Sequence, residues 1–547
     1  MLNGFDMKKT TTLLSVFLLI FSAQLFQIVA QTKGDFYDVA AIHDIKITFS
    51  QKNWMNVLDS NRINGNEMLV GTVTIDGSTY NNVGIAYAQS PTYQTSAVRN
   101  PWLMRLNLID KKQNHQGYKT LVISQALRDP SLVREVLGYE IMRRYMPSPK
   151  ANYVNMTVNN ENKGIYVNIE AIDAPFLQRT FNHTEGSLFR CVPDTRATPQ
   201  PDCGSMNYGS LRYEANAKCY LRNFDLVSKD GWDDLIELTR ILQQTPDQIG
   251  KVLNIDRTLW YLALQNVLVN LNSYEGQFSG NYYLYRDGNG QFNFIPTELN
   301  LAFGSFKNFT GGSDTDFDGL ITLDPLVQSE NAAKPLISQL LKNQDIKKVY
   351  MAHIRQILTD WFENDAYKTR AETFQKLIAK AYDTTSEKPY ETADFQRSLL
   401  ETVGKVTKIP GIVELMSKRA RFLKKYPDLL NVPPRVSDIN FSNRQRFVTK
   451  TVTEFRIKAK VDNFPRRVRL FYRPAGTTVP FTEVQMLDDG KSHDAEAGDK
   501  IFGTAVVPNG FDAMDYYILA ESAGGATFEP SNYFNQLRKI SLAELNK

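Results

Sequence analysis

From Asp44 to Leu108, apolar and polar residues alternate in short runs: "DIKITFS", "MLVGTVTIDG", "NNVGIAYAQ" and "PWLMRLNLID", with turn residues between them. A period of two turns one face of each run to a core and the other to water, so the spacing predicts strands. "DPSLVREVLGYEIMRRYM" changes to helical spacing, with Asp129 suited to the N-cap, Pro130 to the first helical position and Pro147 to the stop. "ANYVNMTVNNENKGIYVNIEAID" returns to a hairpin around an Asn-rich turn. The order strands, helix, strands describes a small lobe with one helix on an antiparallel sheet.

Residues from Trp232 to Leu271 read as helical. "GNYYLYRDGNGQFNFIPTELNLAFG" follows as a hairpin, because "RDGNG" is a strong turn signal. From Pro335 to Leu430 the pattern is helical again, with Leu336, Leu340 and Leu341 on one stripe. "NVPPRV", 431–436, reads as a stiff linker. Beyond it, "VTEFRIKAKV", "RRVRLFYRP", "FTEVQML", "IFGTAVV" and "DYYILAES" are short alternating strands, the spacing of an Ig-like β-sandwich. The fold class is α+β, with a β-rich lobe over 31–175, a mostly helical lobe over 176–430 and the sandwich over 437–547.

A chain of 547 residues has room for about three or four domains. The net charge of +4 is small and the basic residues are scattered, with no basic stripe, zinc-finger spacing or RNA-binding aromatics. Nucleic acid is therefore not an expected partner. Lys8 and Lys9 precede an apolar run ending near Ala30, the layout of a secretory signal. We expect residues 1–30 to be removed and the product to be secreted or held at the cell surface. No later stretch reaches the roughly 20 apolar residues of a membrane span. For an exported chain, Cys191, Cys203 and Cys219 suggest one disulfide and one free thiol, and the short segment between Cys191 and Cys203 favours that pair. The five His are isolated, and no Ser nucleophile elbow, helical zinc motif or Walker loop occurs.

Candidate chemistry centres on "FNFIPTELNLAFGSF", Phe292 to Phe306. In an extended chain, Glu298 and Asn300 share one face while Leu299 and Leu301 take the other. Polar groups beside an apolar core call for a metal, a charge or hydrogen bonds, so both are candidate metal or nucleotide ligands. The alternative is that they cap the turn before Gly304. "DTDFDGLITLD" places Asp314, Asp316 and Asp318 like the opening of a calcium loop, but position 325, where the closing carboxylate belongs, is Pro. Asp488, Asp489, Asp494 and Asp499 make a second acidic loop, suited either to Ca2+ or to solvated turns.

Taken together, "TIDGSTYNNVGIAY", "DPSLVREVLGYEIMRRYMPSPKANYVNMTVNNENKGIYVNIEAID", "NYYLY", "IPTELNLAFG" and "KPLISQLL" resemble the CotH family, spore-coat-H-type proteins with an atypical two-lobed kinase-like fold. The resemblance spans roughly Asp44 to Leu430. It implies an ATP cleft with Mg2+ or Mn2+ and, in active members, phosphate transfer to Ser or Thr of an extracytoplasmic or cell-surface protein. Relatives read "PWDLD" or "PWDLN" where this chain has "PTELN", so Glu298 stands for the metal-holding Asp. They read "NLDSY" where this chain has "NLNSY", so Asn272 is a neutral amide that cannot act as a base. Glu275, three residues on, is a substitute if the loop allows it, and Asn281 matches the family. Ala86, Ala88, Asn100 and Leu103 replace basic residues, leaving Arg99 and Arg105 to reach phosphate, with Glu135 or Glu140 to pair with Arg105. Glu170 matches the strand near the nucleotide. Two readings follow: a pseudokinase acting as a binding scaffold, which the clustered substitutions favour, and an active protein kinase with a remodelled site.

Overall fold

A computed structural model describes residues 34–541 apart from 66, 91, 196–197, 199, 205–207, 310–313 and 446–451; the signal segment lies outside the described residues. The alternating runs of the small lobe form β1 (Ile42–Thr48), β2 (Leu69–Ile75), β3 (Ser78–Tyr87), β4 (Trp102–Arg105), β5 (Thr120–Ser124), β6 (Ala151–Val158) and β7 (Glu161–Glu170). They close into a barrel in the order β1-β2-β3-β4-β5-β7-β6. Closure is made by β1 lying parallel to β6, with Ile45 opposite Met156 and Ile47 opposite Val158. A helix that the pattern did not predict, α1 (Trp54–Asn64), joins β1 to β2, and Trp54 stacks on Phe49 at 5.4 Å.

The predicted helix exists as α2 (Arg134–Arg143) but begins later than Asp129 suggested. Asp129 accepts from the Arg134 N–H at 2.8 Å and from its guanidinium at 2.8 Å, so it holds the first turn from five residues upstream. Arg134 is wholly buried and also donates to the carbonyls of Ala302 and Pro410. These bonds tie α2 to the turn after residue 298. Gly138 lets the helix lie against that turn, because a Cβ there would come within 3.1 Å of Leu299.

The second lobe begins with α3 (Ala174–Phe181) and a four-stranded sheet, β11-β10-β8-β9. Its strands are β8 (Leu188–Cys191), β9 (Phe224–Leu226), β10 (Tyr282–Arg286) and β11 (Phe292–Pro296). The "RDGNG" hairpin is present, with Arg286 opposite Phe292. Helices α4 (Trp232–Gln244), α5 (Ile255–Val267), α6 (Phe317–Ile321), α7 (Pro335–Lys342), α8 (Gln344–Ile357) and α9 (Ala366–Thr384) supply most of the core. The disulfide joins Cys203 to Cys219, not Cys191 to Cys203. Cys191 is buried because β8 pairs on both sides, setting it opposite Tyr282 and Phe224 and turning its thiol inward.

The C-terminal strands form two sheets, β12-β13-β16 and β15-β14-β17-β18, with β19 on β17. They comprise β12 (Arg435–Gln445), β13 (Val452–Asp462), β14 (Arg467–Pro474), β15 (Thr482–Met486), β16 (Ile501–Val506), β17 (Ala513–Glu521), β18 (Ala526–Glu529) and β19 (Arg538–Ser541). Ile457, Leu470, Val506 and Ile518 share the core between them. The junction is not a bare linker. β12 starts at Arg435, and Leu519, Phe528 and Tyr533 belong to the same apolar cluster as the helical lobe.

Candidate functional site

A cavity of about 550 Å³ opens between the barrel and the second lobe. Its barrel wall carries Leu103, Ile123 and Ile169, and Tyr283 faces them from β10. Glu298, Glu135, Arg105 and Glu170 all line this cavity. The alternation rule failed at the most important point, however. β11 stops at Pro296, Glu298 takes a left-handed conformation (φ 57°), and residues 299–301 wind into a 3₁₀ turn. Glu298 is thereby turned toward the cavity while Asn300 is carried away from it.

Glu298 accepts from the Ser90 hydroxyl at 3.1 Å. Burial raises its carboxyl above the usual range, with the Arg190 charge and the Ser90 bond acting in opposition. Glu135, on α2, is 1% exposed. Burial pushes it far above the carboxylate range; the Ser124 hydroxyl offsets part of this, and the nearby Glu298 charge adds to it. Its Oε2 has no hydrogen-bond partner, and no ion pair reaches it among the described residues. The expected partner is elsewhere, since Glu140 holds Arg370 at 2.6 Å and Arg105 stands exposed at the rim. Glu170 is held by Arg179 at 2.7 Å and by the Lys150 N–H at 3.0 Å.

The remaining candidates lie outside the cavity lining. Asn300 donates to the Leu127 carbonyl at 2.8 Å, and its buried Oδ1 is unpartnered. Asn272 accepts from the Asn281 amide at 2.9 Å, so these two side chains hold each other within the loop before β10. Glu275 is 2% exposed; burial raises its carboxyl to about 8, against the opposing charges of Arg419 and Lys334. Lys334 donates to the Tyr274 and Gly276 carbonyls and to Ser279, so Glu275 belongs to a buried brace under the loop and does not replace the carboxylate missing at 272. Asp314, Asp316 and Asp318 do not come together as a metal-holding group among the described residues; Asp316 instead caps α6 through the Gly319 N–H at 2.7 Å. Arg99 is likewise diverted: it donates to the carbonyls of Lys163 and Ile165 and lies over the Tyr166 ring.

Sequence reasoning missed Arg190. It lines the cavity, donates to the side chain and backbone carbonyl of Gln89, and supplies the positive charge facing Glu298. Its signal was present in "LFRC": Phe189 and Cys191 are core residues, so alternation sends Arg190 to the opposite face.

The CotH kinase protein family model matches residues 98–423, more than half of the chain. The inner spore coat protein H of Bacillus subtilis (strain 168) is 22% identical over 319 residues, covering 58% of this chain and 80% of that protein. The match takes in α2, the β8–β11 sheet and the turn at Glu298, and so part of the cavity's wall, while lining residues from Asn61 to Ser90 precede it. This chain belongs to the CotH kinase family.

Proposed function

We propose that this is an exported, kinase-shaped binding protein whose cleft takes a ligand without transferring phosphate. The observation that carries the reading is Glu135, a buried carboxylate on the cavity wall with an unpartnered oxygen and no cation beside it among the described residues. Phosphoryl transfer is mostly positioning and charge: carboxylates for the metal, a cation on the phosphates and a group to orient the hydroxyl. Bound Mg-ATP would supply the γ-phosphate and a metal to neutralise it. Of this chain's residues, Glu298 would hold the metal, and Arg190 with Arg105 would meet phosphate. The set does not fit transfer. Position 272 is an amide bonded to Asn281, Leu103 stands on the cavity wall where relatives carry Lys, and Arg190 is already engaged with Gln89. Export rests on the Lys8–Ala30 pattern, and the partner this reading expects is an extracytoplasmic or cell-surface protein.

The test follows the thermal midpoint of the purified protein with ATP, with and without Mg2+ or Mn2+. A ligand at 100 times its dissociation constant adds about 2.7 kcal/mol to the state it binds. The proposal expects no metal-dependent rise and no radiolabel on any protein, with a rise appearing in the double variant Leu103→Lys, Asn272→Asp. A metal-dependent rise in the natural chain that vanishes in Glu298→Ala, together with label on Ser or Thr, would establish the active-kinase reading instead.

A further inference from the structure

The segment between β15 and β16 passes from one sheet of the C-terminal sandwich to the other. Along it, Asp488, Asp494 and Asp499 each bring one carboxylate oxygen to within 4.8 Å of the other two, the one such acidic group of three among the described residues. Backbone amides fix the arrangement. Asp488 accepts from the N–H groups of Gly498 at 2.6 Å and Lys500 at 3.0 Å, Asp499 from Ile501 at 2.9 Å, and Asp494 from Gly490 at 3.0 Å through Oδ2. The loop lies directly on β16, since a Cβ on Gly503 would sit 2.5 Å from the Ser492 carbonyl and 3.0 Å from the Asp494 nitrogen.

Amide donors orient carboxylates but leave their charges in place, and like charges this close repel. No Lys or Arg ion pair reaches the trio among the described residues; the Lys500 ammonium turns to Asp462 at 3.4 Å. An independent sign comes from burial. Asp494 is 7% exposed, and its Oδ1, the oxygen left over from the Gly490 bond, is buried with no partner. A buried carboxylate oxygen without a donor is costly unless a cation meets it. Ligands that are all oxygen select a hard cation. A loop donating three carboxylates, with carbonyls and water free to complete the shell, suits the flexible coordination of calcium better than the strict octahedron of magnesium.

We propose that Asp488, Asp494 and Asp499 form a calcium site that fastens the β15–β16 loop across the two sheets of the sandwich. The site is separate from the kinase-like cleft and independent of what the cleft binds.

The experiment uses the full chain stripped of metal with a chelator and titrated with calcium chloride by equilibrium dialysis and by thermal unfolding. We expect one calcium per chain, with a dissociation constant on the order of 10⁻⁴ to 10⁻³ M, the range of extracellular modules. Binding should raise the unfolding midpoint, and magnesium at the same concentration should do so less. Asp494→Asn and the more exposed Asp499→Asn should each weaken binding about tenfold or more, whereas Asp316→Asn should leave it unchanged. If Asp494→Asn fails to fold, Asp499→Asn alone decides the matter. No calcium bound up to about 10 mM overturns the proposal, as does full binding in Asp499→Asn. Equal binding of magnesium overturns the assignment to calcium.

Discussion

The cleft and the seam between the helical lobe and the sandwich meet their carboxylates in opposite ways. At the seam, Asp256 on α5 lies 3.0 Å from His353 Nε2 and accepts from the Tyr533 hydroxyl at 2.6 Å, and that hydroxyl accepts from Trp260 Nε1 at 2.8 Å. The His353 ring stacks on Trp260 at 3.7 Å and on Phe528 at 5.2 Å, and burial lowers its pKa, with the Asp256 contact acting in opposition. Two peripheral ion contacts, Arg467 with Asp345 and Lys348 with Glu521, add to the join. In the cleft, Glu135 keeps a free acceptor, and Glu298 is met by a hydroxyl and a distant guanidinium. A seam that meets both oxygens of its carboxylate is built to hold, although His353 Nδ1 stays buried without a partner. A cavity that leaves acceptors open is built to meet something else.

That contrast is easiest to break at Trp260. Trp260→Ala should lower stability by about 3–5 kcal/mol in chemical denaturation and should loosen lobe and sandwich together. Two separate transitions, with only one of them shifted, would show that the sandwich is an independent appendage. Tyr533→Phe removes one hydroxyl that serves both Trp260 and Asp256, and should cost about 1–2 kcal/mol by the same measurement. A loss near zero would mean that water replaces it and that the seam is looser than its geometry.

The smallest effect belongs to the cleft. Glu135 has a raised pKa in the folded chain, so its contribution to stability is fully present below the ordinary carboxylate pKa and is lost as pH rises through the folded value. Glu135→Gln should therefore change stability at neutral pH by less than about 1 kcal/mol, or increase it, and should flatten the decline of stability with rising pH. A large loss would reveal a cation partner for Glu135 and weaken the pseudokinase reading.

Much of this molecule was legible in its sequence. The strands of both β regions, the "RDGNG" hairpin and the main helical stretches follow local patterns repeating every two or 3.6 residues and appear near where the pattern put them, whereas α1 went unpredicted and α2 begins later than Asp129 suggested. The site was legible in part. Glu298, Glu135, Arg105 and Glu170 meet at one cavity, while Asn300 and Arg99 do not line it, because strand alternation ends at the left-handed Glu298 and the Arg99 guanidinium is bound to backbone carbonyls. Arg190 was overlooked although its alternation was visible.

What the sequence determined alone is therefore the order and type of most elements and which residue types replace the family's catalytic ones, since these depend on near neighbours along the chain. Tertiary structure alone decided that β1 pairs with β6 to close a barrel, that Cys203 meets Cys219 rather than Cys191, and that Glu135 has an oxygen with no partner among the described residues. It also decided that Asp494 is buried within an acidic trio. Each of these rests on contacts between segments distant in sequence or on the depth of a side chain in the packed core. Local periodicity carries no record of either.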